Sequence, residues 1–231
     1  MNAPVTPQAI LFDLDGTLVD SERENVESVV LAVRRLGAEL TEGERAFVIG
    51  HSWNEIHALI AGNHRLAVSM DQLIASAVAE KRALMVTTGY RALPGAVAAV
   101  RRLGARSALA VVSGASRAEV GDALEGIGVI GAMRVWLGAE DYARGKPAPD
   151  PFLLAMRRLG VEPPGCIAIE DATPGILSAR AAGTRVIAVR AGNFAGYDLS
   201  AADLVVDTLD DVTDALCDRL VTTGGAAGDA P

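Results

Sequence analysis

The sequence predicts an α/β fold: a parallel sheet with helices on both faces, interrupted by an all-helical insertion. Three observations carry this expectation. Short runs of Val, Ile, Leu and Ala alternate with longer segments of helical period, the pattern of repeated βα units whose sheet is buried on both faces. The stretch between Ser21 and about Leu93 shows no strong strand signal. Several apolar runs end on polar residues, Asp13, Ser113 and Asp171 among them, at the carboxyl ends of strands, where open α/β sheets gather their ligands.

In chain order, strands are expected over Ala9 to Asp13, Ala108 to Val112, Arg134 to Leu137, Cys166 to Ile169, Arg185 to Val189 and Leu204 to Val206. Val97 to Leu103, Phe152 to Leu159 and Ile176 to Ala182 each carry one apolar stripe, and Gly104, Gly160 and Gly183 follow them as expected C-caps. The insertion reads as helices over Glu22 to Leu36, Glu42 to Phe47, Trp53 to Ala61 and Asp71 to Met85. Pro94-Gly95 marks the return to the sheet. The expected core is therefore discontinuous, 1–20 and 92–220, with the insertion at 21–91 and a small-residue, flexible tail at 221–231. With 231 residues and 50% hydrophobic content the chain can bury a large core, and with aromatics at 4% that core must be built from Ala, Val, Leu and Ile.

Asp13-Leu14-Asp15-Gly16-Thr17 is the most informative stretch. Ala9-Ile10-Leu11-Phe12 delivers two carboxylates at i, i+2, a spacing that in a strand puts both side chains on one face. Two like charges that close are costly unless a cation lies between them or one keeps its proton. The pattern thus implies a divalent metal, split acid and base roles, or both. The alternative is a strand end whose acids merely cap the next helix, since Asp-Gly also marks turns.

Further motifs decide between these readings. Asp13 to Ser21 resembles the first signature of the haloacid dehalogenase superfamily, whose phosphatases read Asp-x-Asp-x-Thr after their first strand. Ala108-Leu109-Ala110-Val111-Val112-Ser113-Gly114 is similar to the second, Gly145-Lys146-Pro147-Ala148-Pro149-Asp150-Pro151 to the third, and Cys166 to Gly175, with Glu170-Asp171, to the fourth. The four occur in order, and the resemblance runs from the first strand to about Asp207.

The resemblance implies a Rossmann-like core with an inserted α-helical cap domain and phosphoryl transfer, which rests on positioning and charge neutralisation. Asp13 would be the nucleophile and Asp15 the general acid, then base. Mg²⁺ would be held by Asp13, the backbone carbonyl of Asp15 and Asp171, with Glu170 as a ligand or beside one. Lys146 would offset the charge of nucleophile and phosphate. Ser113, Gly114 and Thr17 would bind phosphate, as would Arg117, at a helix start with Ser116, unless it is simply an exposed helix arginine.

In such relatives the cap closes over the site and selects the leaving group. Gly50-His51-Ser52-Trp53-Asn54 suits a loop that dips toward substrate, with His51 as the candidate contact, Trp53 as cap core and Lys81 as a solvent-exposed residue. Relatives of the β-phosphoglucomutase branch carry Val or Ile where Thr17 stands, His where Asn25 stands and Arg where Trp53 stands. These departures favour hydrolysis, with the mutase reaction as the alternative, and the resemblance to capped relatives implies a small phosphorylated metabolite as substrate, a sugar phosphate or phosphoglycolate. Dehalogenases and phosphonoacetaldehyde hydrolases lack the acid that Asp15 supplies. A non-catalytic phosphate-binding module would have lost one of the motifs.

Charge and composition bound the partners. With 21 basic against 29 acidic residues the net charge is −8, and no basic patch dense enough for nucleic acid stands out. No Gly-x-Gly-x-x-Gly follows the first strand, which excludes a dinucleotide binder of that type. Cys166 and Cys217 have neither zinc-site nor disulfide spacing, which fits a reducing cytoplasm. No signal peptide or membrane span is expected, and a monomer is the default.

Overall fold

The computed structural model describes residues 5–49, 51 and 53–223. Gly50 and Ser52 of the expected cap loop lie outside the described residues, as does the tail from Gly224 onward. The chain divides into two compact units: Met1–Asp20, Arg91–Asn193 and Tyr197–Pro231 form one, Ser21–Tyr90 and Phe194–Gly196 the other.

The elements are β1 (Ala9–Phe12), β2 (Val19–Asp20), α1 (Glu22–Arg35), α2 (Glu42–Val48), α3 (Trp53–His64), α4 (Met70–Thr88), β3 (Arg91–Ala92) and α5 (Ala96–Gly104), followed by β4 (Ala108–Val112), α6 (Arg117–Gly126) and β5 (Val135–Leu137). Then come α7 (Asp150–Leu159), β6 (Cys166–Glu170), α8 (Thr173–Ala181), β7 (Arg185–Val189), β8 (Leu204–Val206) and α9 (Asp214–Thr223). Six strands form one parallel sheet in the order β5-β4-β1-β6-β7-β8. Every residue of β1 and β6 is buried, as the unbroken apolar runs require of strands covered on both faces. The core beside them is Ala, Val, Leu and Ile with Phe152 and Met156 of α7.

Three local expectations change. Residues 221–223, expected in the tail, continue α9, because Val221 is buried against the core. Arg91–Ala92 pairs antiparallel with Val19–Asp20, so the return to the first unit begins at Arg91. Gly160 adopts the left-handed cap at φ 69° and Gly183 follows α8 at φ 84°, but Gly104 is the last residue of α5, with Ala105 as the cap.

The second unit is helical and has its own core, in which Val29, Val33, Ile56, Ile60 and Leu73 meet and Trp53 packs against them. Its capping follows the sequence closely: Thr41 and Ser69 form capping boxes with Glu44 and Gln72. Glu44 is buried and its carboxylate accepts from Asn63 Nδ2 at 2.8 Å, His64 Nε2 at 3.0 Å and both the N–H and hydroxyl of Thr41. The Asn63 amide and the Thr41 backbone hold its carboxyl down to about 2. Because the folded value lies below the unfolded one, this contribution is complete above about pH 4.5, worth at most about 3 kcal/mol, and is lost as the pH falls toward 2. Glu44→Gln should melt below wild type at pH 6–7, and thermal unfolding should show the gap closing on acidification; a gap that is independent of pH would refute the linkage.

Candidate active site

Strand register brings the separate motifs together. In β1, Phe12 is level with Val111 of β4 and Ile169 of β6, so Asp13, Ser113 and Glu170-Asp171 all lie at the carboxyl ends of three neighbouring strands. The Asp13 N–H donates to the Ile169 carbonyl at 2.9 Å and extends the ladder by a residue. β1 itself ends at Phe12, so Asp13 stands just past the strand and Asp15 in the turn that follows, rather than both along the strand. The Leu14 carbonyl accepts from Thr17, Leu18 and Val19, and Gly16 at φ 82° carries the reversal. A Cβ at Gly16 would overlap the Asp171 carboxylate, so glycine is required for space as well as for φ.

Lys146 is the hub. It is 13% exposed at its side chain, and its ammonium donates to Asp13 Oδ1, to the Val112 carbonyl at 2.9 Å and to Glu170 Oε1 at 2.5 Å. Its nitrogen lies 5.3 Å from the centre of the buried Phe152 ring. Burial opposes its charge, but Asp13 and Glu170 outweigh burial and hold the ammonium above its ordinary range. Burial pushes Asp13 up to about 7, against the pull of Lys146 and with the repulsion of Glu170 and Asp15. Burial likewise raises Asp171 well above the carboxylate range, with the Asp13 and Glu170 charges adding to it.

Oxygens of Asp13, Glu170 and Asp171 lie within 4.8 Å of one another, a hard-donor set crowded with negative charge. Such a set suits a divalent cation, which would relieve the carboxylate repulsion that adds to burial in raising Asp13 and Asp171. Thr17, placed by sequence among the phosphate contacts, donates its buried hydroxyl to Asp171 Oδ1 at 3.0 Å and so fixes that carboxylate. Glu170, besides Lys146, accepts the Asp171 and Ala172 N–H groups on Oε2 at 3.2 and 3.4 Å.

The phosphate-binding candidates divide. Ser113 follows β4, buried, its N–H bonded to Leu137 O and its hydroxyl accepting from Ala115 N at 3.1 Å. Gly114 is exposed beside it. Ser116 caps α6 through a capping box with Glu119. Arg117, in contrast, directs its guanidinium to Asp141 at 3.5 Å and its N–H to Glu140 at 2.9 Å, half-exposed. In the helical unit, the His51 ring stacks on Phe47 with centroids 3.6 Å apart and its Nδ1 sits 3.2 Å from Ile49 O. Two further hydroxyls bond to the backbone of the loops around the cluster. Tyr142 donates to the Ser113 carbonyl at 2.7 Å, and Ser178 of α8 donates to Ala148 O at 2.5 Å in the turn after Lys146. Ser178, a polar residue inside the apolar stripe of its helix, carried a signal; a tyrosine in a loop carried none.

Residues 10–189 match the model of the haloacid dehalogenase-like hydrolase family. Hexitol phosphatase A of Escherichia coli (strain K12) is 36% identical over 209 residues, which cover 89% of this chain and 93% of that protein. Validoxylamine A 7'-phosphate phosphatase of Streptomyces hygroscopicus subsp. limoneus is 33% identical over 215 residues, covering 87% and 94%. The crystal structure of CbbY from Rhodobacter sphaeroides in complex with phosphate superposes at a TM-score of 0.76 with 24% identity, covering 89% of this chain and 96% of that one, a likeness of fold. The chain belongs to the haloacid dehalogenase-like hydrolases and is an enzyme of phosphatase type.

Proposed function

We propose that the protein is a Mg²⁺-dependent phosphomonoesterase acting on a small sugar or polyol phosphate through an aspartyl-phosphate. The observation that carries this is the buried set Asp13, Lys146, Glu170 and Asp171 at the carboxyl ends of the central strands. Asp13 attacks phosphorus and takes the phosphoryl group; Asp15 gives its proton to the departing alkoxide, then removes one from the water that hydrolyses the acyl phosphate. Lys146 favours the ionised form of Asp13 against burial and balances charge on the transferring group. Ser113 and the N–H groups after it receive phosphate oxygens. Asp13, Asp171 and the Asp15 carbonyl would hold Mg²⁺, with Glu170 beside them. The ion would neutralise the phosphate and orient it for in-line attack. Thr17 aims Asp171 at that position. The helical unit would serve as the cap, and the preference for sugar and polyol phosphates rests on hexitol phosphatase A.

The test is phosphate release with and without Mg²⁺ from hexitol phosphates, sugar phosphates, phosphoglycolate and an aryl phosphate. Wild type should release phosphate only with metal, Asp13→Asn should fall to background, and Asp15→Asn should lose roughly 10²–10⁴-fold. Full activity in either variant would refute the assigned roles. Isomerised sugar phosphate without free phosphate would instead identify the mutase reaction.

A further inference from the structure

The Ser113 turn is braced by a residue from outside the four motifs. Tyr142 lies four positions before Lys146, at the end of the short 3₁₀ turn Ala139–Asp141, with its ring half-buried against the main core cluster. Its phenol donates to the Ser113 carbonyl at 2.7 Å. The Ser113 N–H is fixed separately by Leu137 O at 3.1 Å. A trans peptide is planar, with C=O and N–H pointing in opposite directions. Anchoring the Ser113 carbonyl therefore sets the direction of the Gly114 N–H in the same peptide unit. No acceptor for that N–H is found among the described residues, and the space around Gly114 is open.

We propose that Tyr142 is a positioning residue that aims the Gly114 N–H at the phosphate of the substrate. The proposal rests on the phosphatase reading for its ligand. Burial raises the Tyr142 phenol above its ordinary range, with Asp13 adding to this and Lys146 opposing it, so the group stays a donor at neutral pH.

Tyr142→Phe removes the hydroxyl and keeps the ring. The bond it removes is worth about five-fold in binding. KM for the best substrate and the inhibition constant of inorganic phosphate should both rise about five-fold, while kcat stays within about two-fold and the melting temperature within about 4 °C. A purely structural tyrosine would lower stability and kcat together. If wild type is active and the variant keeps wild-type KM and phosphate inhibition, or loses kcat alone, the assignment to Tyr142 is overturned and the phosphatase reading stands. If wild type hydrolyses nothing in the panel, the phosphatase reading falls, and calorimetric titration of both proteins with inorganic phosphate decides Tyr142. The same five-fold gap would support it there; equal affinities, or no binding to either protein, would overturn it.

Discussion

Lys146→Ala is expected to cost about 3–5 kcal/mol of stability and to abolish phosphate release, because it removes the cation from a buried acidic cluster. Glu170 is 1% exposed and Asp13 8%, so neither charge can be resolvated in place. Asp13 also loses the neighbour that favours its ionised form against burial, so its carboxyl should be driven further toward the protonated form, which cannot attack phosphorus. The deficit has a definite sign with pH. Carboxyls whose folded values are raised are penalised when ionised, so the variant should lie furthest below wild type at high pH and approach it on acidification. Urea unfolding from about pH 5 to pH 8 checks this. Adding Glu170→Gln should restore about 1–3 kcal/mol to Lys146→Ala by removing the orphaned charge. If the double variant is less stable than the single one, the charge argument is wrong.

Gly175→Ala should also be damaging, although it adds only one methyl group. Gly175 lies in the first turn of α8, and a Cβ there would overlap all three carboxyl atoms of Glu170. That side chain has nowhere to go: Lys146 holds one oxygen at 2.5 Å and the Asp171 and Ala172 N–H groups hold the other at 3.2 and 3.4 Å. Either α8 shifts or Glu170 releases Lys146. Overpacking of this kind costs about 1–3 kcal/mol or more, and a displacement near 1 Å in the site costs about 10²-fold in rate. Gly62→Ala is the control. Gly62 sits within α3 with open space around it, so the same change there should stabilise by about 0.5–1 kcal/mol. Wild-type turnover by Gly175→Ala would show that Glu170 can rearrange freely.

The sheet-containing unit was legible because local chemistry and chain order carry it. Unbroken apolar runs mark strands buried on both faces, and β4, β7 and β8 fall on the expected residues. The four helices of the second unit fall close to their expected spans, and two of them start at capping boxes that the sequence reading did not use, Thr41 with Glu44 and Ser69 with Gln72. Where expectation and structure part, a long-range contact decides. Gly104 resembles a C-cap by position, yet α5 runs through it, and a Cβ there would come to 3.0 Å from Leu109. Thr17 reads as a phosphate contact by its motif, but Asp171, 154 residues away, takes its hydroxyl.

By itself, then, the sequence determined the element types, the family and the identity of Asp13, Asp15, Ser113, Lys146 and Asp171 as the reactive candidates, because each depends on short-range pattern. Only the tertiary structure decided which atoms meet. Glu170 serves Lys146 as well as the acidic cluster, Thr17 fixes Asp171, Arg117 turns to Asp141, and Tyr142 and Ser178 brace the loops around the cluster. Those pairings join residues from different strands and loops. They follow from parallel register and from the need to satisfy every polar group buried at the carboxyl ends of the strands, neither of which a one-dimensional pattern records.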